Sequence, residues 1–339
     1  MPTIKEIAKL AGVSHVTVSK VLAGDTPVTR PAAIRRAEKI RRIAEELGYR
    51  PNYTAQSLRS GKTGLIAVLG NTPLSFDDHN QEEAAILRLV ARKLRSQHLN
   101  LSAQLCDRAE KNCTLPPWKV DAAILVSADS PDQVDDVEAA GIPYVAMNGE
   151  CGPNGSAVQF DDEAAMDLAL DKLFELGHRR IAYLPNFQTF EHRSVFIRER
   201  RHRTYLTEHD LPLPTTIAQG DVDELSLSSL LQKWTAEEGV TAVVCWDPWA
   251  ALYLYQACGR VGLSLPNDLS VITFNDTPLG SEALVPRLSA VARAVQQTAD
   301  AVVELLDERM SGEHTLPRNI VLQSRLLSRE SIAPPRPSP

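Results

Sequence analysis

The stretch TIKEIAKLAGVSHVTVSKVL at residues 3–22 constrains the fold more tightly than any other part of the chain. Thr3 followed three residues later by Glu6 forms a capping-box pattern, so a helix is predicted from about Ile4. Ile4, Ile7, Ala8, Leu10 and Ala11 recur at helical spacing, and Gly12 permits the sharp turn a second helix needs to cross the first. Ser14 is placed to cap that second helix. Along it Val18, Val21 and Leu22 point inward, while His15, Val16, Thr17, Ser19 and Lys20 project away. Such an exposed set suits a DNA major groove: hydroxyls grip phosphates, Lys20 reaches guanine acceptors and Val16 packs on a thymine methyl. A third helix is predicted from about Pro31 to Leu47, with Ile34, Ala37, Ile40, Ala44 and Leu47 as its apolar stripe and Gly48 as its stop.

Charge supports the same direction. Residues 1–62 carry 12 Lys and Arg against 5 Asp and Glu, whereas the remainder carries 24 against 38. A head of net +7 on a body of net −14 implies a polyanionic partner at one end only.

The whole chain, 339 residues at 43% hydrophobic content, is long enough for more than the head. Short apolar runs at 65–69, 99–105, 122–126, 144–147, 181–184, 242–245 and 271–274 are separated by helix-length amphipathic segments. The clearest helices are 82–97, 162–176, 249–261 and 294–310, with Gly177 and Gly262 at C-terminal stops. Alternation of this kind predicts parallel sheets, most economically as two doubly wound lobes.

Two strings make a resemblance specific. AGVS…TVSKVL together with YRPN…AQSLR resembles the headpiece of the lactose-repressor (LacI/GalR) family of bacterial transcription regulators. Similar landmarks continue through the body: GIPYVAMN at 141–148, ALDKLFELGHRRIAYL at 169–184, GLSLPNDLSVITFNDTPLG at 262–280 and LQSRLLSRESIAPP at 322–335. The resemblance implies a helix-turn-helix DNA-binding domain over 1–48, a hinge helix and linker over 49–62, and a core over 63–335 that binds effector and dimerises. That core would be periplasmic-binding-protein-like, with one lobe of about 63–160 and 291–318 and the other of about 161–290 and 319–332.

The resemblance also assigns roles. His15, Val16 and Lys20 would read bases, while Thr3, Ser14, Thr17 and Ser19 would hold phosphates. Asn52, Ala55, Gln56, Leu58 and Arg59 would be the hinge's DNA contacts, with Leu58 as a wedge in a central minor-groove step. In the cleft between the lobes, Arg198 would hold a sugar or related metabolite through its forked donors, with Asp247 and Asp161 as acceptors. Phe76 is a candidate stacking face.

Several positions depart from the family pattern. Lys20 stands where arginine is frequent, Ala23 where asparagine is common, and the 24–33 loop is about four residues longer. In the cleft Trp246 replaces a usual asparagine, Asn275 a usual aspartate and Arg201 a usual glycine, and an N-P-[FY]-[FY] string is missing after the first strand. Trp246 is open to two readings, packing beneath a lobe or a platform for a ring.

Other chemistries lack support in the sequence. The five cysteines are widely spaced without a C-x-x-C pair, so no metal or other cofactor is expected. A P-loop, G-x-S-x-G or H-E-x-x-H string does not occur, so an enzyme is not expected. A sugar-binding transport component would need a secretion signal where this chain has a helix-turn-helix. The expectation is a cytoplasmic homodimeric repressor on a near-palindromic DNA operator, switched by a small effector and without membrane attachment.

Overall fold

The computed structural model describes residues 2–23, 31–49, 61–70, 81–103, 114–127, 131–185, 193–218, 224–312 and 316–336. The chain divides into two compact units, Met1–Thr63 and Gly64–Pro339.

Among its described residues the first unit holds three helices, α1 (Ile4–Ala11), α2 (His15–Ala23) and α3 (Pro31–Glu46). The capping box forms as its residues dictate: the Thr3 hydroxyl accepts from the Glu6 amide at 3.3 Å, and the Glu6 carboxylate accepts from the Thr3 amide at 2.7 Å. Gly12 closes α1 in the left-handed region at φ 73°, a backbone that glycine adopts without steric cost. Ile7, Ala8, Ala11, Val18, Val21, Ala37, Ile40, Ile43 and Ala44 form the small core. Three residues of the expected apolar faces lie outside it: Leu10, Ile34 and Leu47 are 58, 42 and 37% exposed. At roughly 100° per residue, Leu10 sits about a quarter of a turn from the centre of the Ile7 and Ala11 face, so it misses the packing seam. Ile43, outside the expected stripe of α3, is part of the core instead.

The second unit contains two sheets. The first joins β1 (Leu65–Leu69), β2 (Asn100–Ala103), β3 (Ala122–Val126), β4 (Tyr144–Met147), β5 (Gly155–Phe160) and β10 (Asn319–Leu322). Its strand order is β10-β5-β4-β3-β1-β2, parallel throughout. The second joins β6 (Ile181–Leu184), β7 (Ala242–Cys245), β8 (Ser270–Phe274), β9 (Ser289–Ala292) and β11 (Arg325–Leu327), in the order β11-β9-β8-β7-β6. Only β11 runs antiparallel to its neighbour, β9.

Both sheets are covered on two faces, which explains why their strands read as unbroken apolar runs. On the first sheet, Ile66 and Val68 face α4 (Gln81–Ser96) and α10 (Val295–Ser311), whereas Ala67 and Leu69 face α5 (Pro131–Ala139). On the second, α6 (Asp162–Glu175) and α7 (Arg193–Glu208) cover one face, and α8 (Glu224–Gln232) and α9 (Pro248–Val261) the other. The fold is therefore an α-helical head with a core of two doubly wound lobes.

The lobe boundaries differ from expectation at the last crossings. Residues 319–322, expected in the second lobe, form the edge strand β10 of the first sheet, with Asn319 opposite Ala157 and Leu322 opposite Phe160. Strand β9 stays with the second sheet through Ala292. Being a half-exposed edge, β10 mixes polar and apolar residues and shows no buried-strand run. Among the described residues no helix is long and apolar enough to cross a membrane.

Gly155 opens β5 directly opposite Tyr144, and a Cβ there would collide with the buried Tyr144 ring. The Tyr144 hydroxyl is also fixed, donating to Glu138 Oε1 at 2.7 Å, so the ring cannot retreat without losing that bond. Gly155→Ala should lower unfolding stability by about 1–3 kcal/mol, the usual cost of overpacking. Urea denaturation checks this, and a midpoint equal to the unsubstituted protein's would contradict it.

Candidate DNA-reading helix and polar cleft

Helix α2 presents the side chains expected of a reading helix. Val18 is fully buried and Val21 nearly so, while Leu22 packs at the margin of the core. His15, Val16 and Lys20 are exposed, and Thr17 and Ser19 half-buried. Val16, the apolar member of this exposed set, is 50% exposed. Ser14 starts the helix: its hydroxyl accepts from the Thr17 amide at 3.2 Å and lies 2.9 Å from the Thr17 hydroxyl. Lys39 of α3 donates to the Ala11 carbonyl at 3.3 Å, which holds the α1 end against α3. The hinge residues Asn52, Ala55, Gln56, Leu58 and Arg59 lie outside the described residues, as does Phe76.

In the core, polar side chains gather beyond the carboxyl ends of the strands, where open α/β sheets bind ligands. Arg198 lies within α7, only 3% exposed. Its fork is already engaged: Nε and a terminal nitrogen both reach Asp162 Oδ1 at 2.8 Å, and the other terminal nitrogen donates to the Trp246 carbonyl at 3.4 Å. The guanidinium is sandwiched between rings, 4.6 Å from the Trp246 centroid and 4.0 Å from that of Phe274. Trp246 is thus partly buried against the second lobe with one face on Arg198.

Asp247 and Asp161 both serve as helix caps. Asp247 Oδ1 accepts from the Ala250 amide at 2.7 Å to start α9, and Asp161 Oδ1 accepts from the Ala164 amide at 2.9 Å to start α6. Asp161 Oδ2 further accepts from Gln323 at 3.2 Å. Asn275 follows β8 in the left-handed region at φ 64°, its amide bound to the Val291 carbonyl and its Oδ1 buried without a partner. Arg201 turns away from this group into ion pairs with Asp167 and Glu208.

Several cleft residues were missed in the sequence. Glu82 and Glu83 open α4 yet are only 4 and 1% exposed, with Arg293 between them at 3.9 and 3.7 Å. Glu83 Oε1 accepts from the Ser127 hydroxyl at 2.7 Å and from Asn148 at 3.5 Å. Glu82 Oε1 accepts from the amide of Asp276 at 2.7 Å, a direct hydrogen bond between the lobes. Asp276 is in turn paired with Arg329 at 2.9 Å. Ser127 and Asn148, like Asn275, each follow a strand with positive φ; a polar residue at that place is the signal that could have flagged the first two. Among the described residues no His, Cys, Asp and Glu cluster could hold a metal.

Burial pushes the Asp247 carboxyl up from 3.8 to about 6, against the opposing pull of the Ala250 and Trp249 amides and of Arg198. A carboxyl whose folded value is raised carries no penalty below its unfolded value and a full one above its folded value. Stability should therefore decline between about pH 4 and 6, by about 3 kcal/mol for this group. Asp247→Asn, which keeps a capping oxygen, should remove that decline; parallel stability curves for the two proteins across this range would contradict the assignment.

Comparison with known proteins places both units. Residues 3–52 match the lacI family of bacterial regulatory proteins, and residues 170–332 match the periplasmic binding protein-like domain. The chain is 30% identical to the ribose operon repressor of Haemophilus influenzae over 346 residues, covering 98% of this chain and 99% of that one. It is 27% identical to catabolite control protein A of Priestia megaterium, with 97 and 98% covered. The fold is similar to the lac repressor dimer bound to operator and the anti-inducer ONPF, with TM-score 0.77, 23% identity and coverage of 98 and 99%. It is also similar to a complex of the transcriptional regulator CelR with cellobiose, at TM-score 0.65, 23% identity and coverage of 98 and 100%. With its helix-turn-helix head and two-lobed core, the chain belongs to the lacI family of bacterial regulatory proteins.

Proposed function

We propose that the protein is a homodimeric transcriptional repressor, acting in the cytoplasm, whose affinity for a near-palindromic DNA operator is set by a small metabolite in the cleft. The observation that carries this reading is α2 itself, a helix anchored by Val18 and Val21 that leaves His15, Val16 and Lys20 exposed on a basic head. The relatives' names support it: one is a ribose operon repressor, and the similar structures include an operator-bound dimer and sugar-bound regulators. No catalytic role is assigned to any residue, and the relatives are regulators.

In this reading two copies of α2 enter successive major grooves about one DNA turn apart. His15, Val16 and Lys20 read base edges; Thr3, Ser14, Thr17 and Ser19 hold phosphates. The 49–62 segment forms a hinge in which Asn52, Ala55, Gln56 and Arg59 meet the minor groove and Leu58 wedges a central step. A metabolite bound between the lobes alters operator affinity only if it binds one lobe arrangement more tightly than the other. Its polar contacts are proposed to come from the Arg198, Asp247, Asn275 and Asp161 region, with Trp246 and Phe76 as ring faces. Arg198 acts there as a scaffold that orients Trp246 and Asp162, because stripping it away would leave Asp162 buried without its cation.

Lys20→Ala should flatten base preference at one position in each half-site by about 1–3 kcal/mol while other positions keep their preferences. Binding to a set of single-base operator variants measures this. An unchanged preference pattern would remove Lys20 from direct readout.

A further inference from the structure

Among the described residues, the polar network that links the lobes has more negative charge than positive, and its buried atoms without partners include more acceptors than donors. Two buried carboxylates, Glu82 and Glu83, share one buried cation, Arg293. The neighbouring charges do not correct the excess: Arg329 is matched by Asp276 and Arg198 by Asp162, while Asp247 is a further buried acid. Glu82 Oε2 and Glu83 Oε2 accept no hydrogen bond, although the other oxygen of each is used, and Arg293 Nε, 3.9 Å from Glu82 Oε2, is the one donor among these unbonded atoms. The second lobe supplies a third acceptor without a partner, Asn275 Oδ1, in a side chain 9% exposed that immediately precedes the Asp276 whose amide binds Glu82.

Buried acceptors without partners cost free energy that a ligand's donors would recover. A second negative charge brought to the same place would meet uncompensated carboxylates in a medium that screens poorly. Burial raises the Glu82 carboxyl above its usual value, against the opposing pull of Arg293 and of the Asp276 amide.

We propose that Glu82, Glu83 and Asn275 form a donor-seeking, anion-rejecting subsite of the cleft, so that the effector is a hydroxyl- or amine-rich molecule without a carboxylate or phosphate. The inference rests on the effector-switched reading above and narrows its ligand class. Because Glu82 and Glu83 belong to the first lobe and Asn275 to the second, a ligand donating to all three ties the lobes together. Selectivity against acids comes from the surplus charge, not from shape.

The test is calorimetric titration of the full chain with matched probes that differ by one acidic group: glucose and glucuronate, galactose and galacturonate, ribose and ribose 5-phosphate, with glucosamine added. At least one neutral or amino sugar should bind, and its acidic counterpart should bind about tenfold more weakly or worse. Glu82→Gln and Glu83→Gln should each shrink that ratio, a readout that misfolding alone does not produce. The inference is overturned if an acidic probe binds as tightly as its neutral counterpart, if no neutral or amino sugar binds, or if the ratio is unchanged in both variants. Operator titration separates the two readings. Release or capture of DNA by an acidic sugar would sink the ligand class and leave the regulator intact. Binding of a neutral sugar with no change in DNA affinity would do the reverse.

Discussion

A buried arginine in a protein interior must be paired, and Arg293 is paired with acids from the other lobe. It follows β9 of the second sheet, at the point where the chain turns back to α10 of the first, and it meets Glu82 and Glu83 at the start of α4. The Asp276 amide adds a hydrogen bond from β8 to Glu82. These contacts gather charged groups of both lobes into one buried cluster.

Arg198 shows a different use of buried charge. Sandwiched between Trp246 and Phe274 and paired with Asp162, it ties α6, α7 and the ends of two strands into one wall. Its guanidinium fixes Trp246, so the ring's position does not depend on a ligand. The head is built on simpler terms. Its core is small, and caps at Thr3 and Ser14 together with the Lys39 bond to Ala11 define the angle at which α2 is held.

Much of this was legible in the residues. The capping box, the Gly12 turn and the inward set of α2 follow from local rules, and the structure contains them. The helices of the core appear within a residue or two of their predicted bounds because amphipathic spacing and terminal glycines are local signals. What local signals could not show is which distant groups meet. Asp162 and Arg198 are 36 residues apart and become partners only when α6 and α7 pack. Glu82 and Glu83 read as acids suited to the first turn of a helix, which they are, and nothing nearby announces that both are buried. Strand β10 escaped because its apolar run is only the three residues Ile320 to Leu322, with polar Asn319 and Gln323 on either side. Leu10, Ile34 and Leu47 show the opposite failure, apolar residues near a helical stripe but too far around the helix to reach the core.

The central claim is that a head that reads DNA and a cleft that binds a metabolite work as one switch. Selection of bound sequences from a random DNA pool by the full chain, repeated with and without a panel of neutral, amino and acidic sugars, tests it most directly. The predicted result is one near-palindromic site, enriched in the absence or the presence of a single class of sugar and lost in the other condition. Enrichment of no sequence, or of the same site at the same strength under every condition, would contradict it.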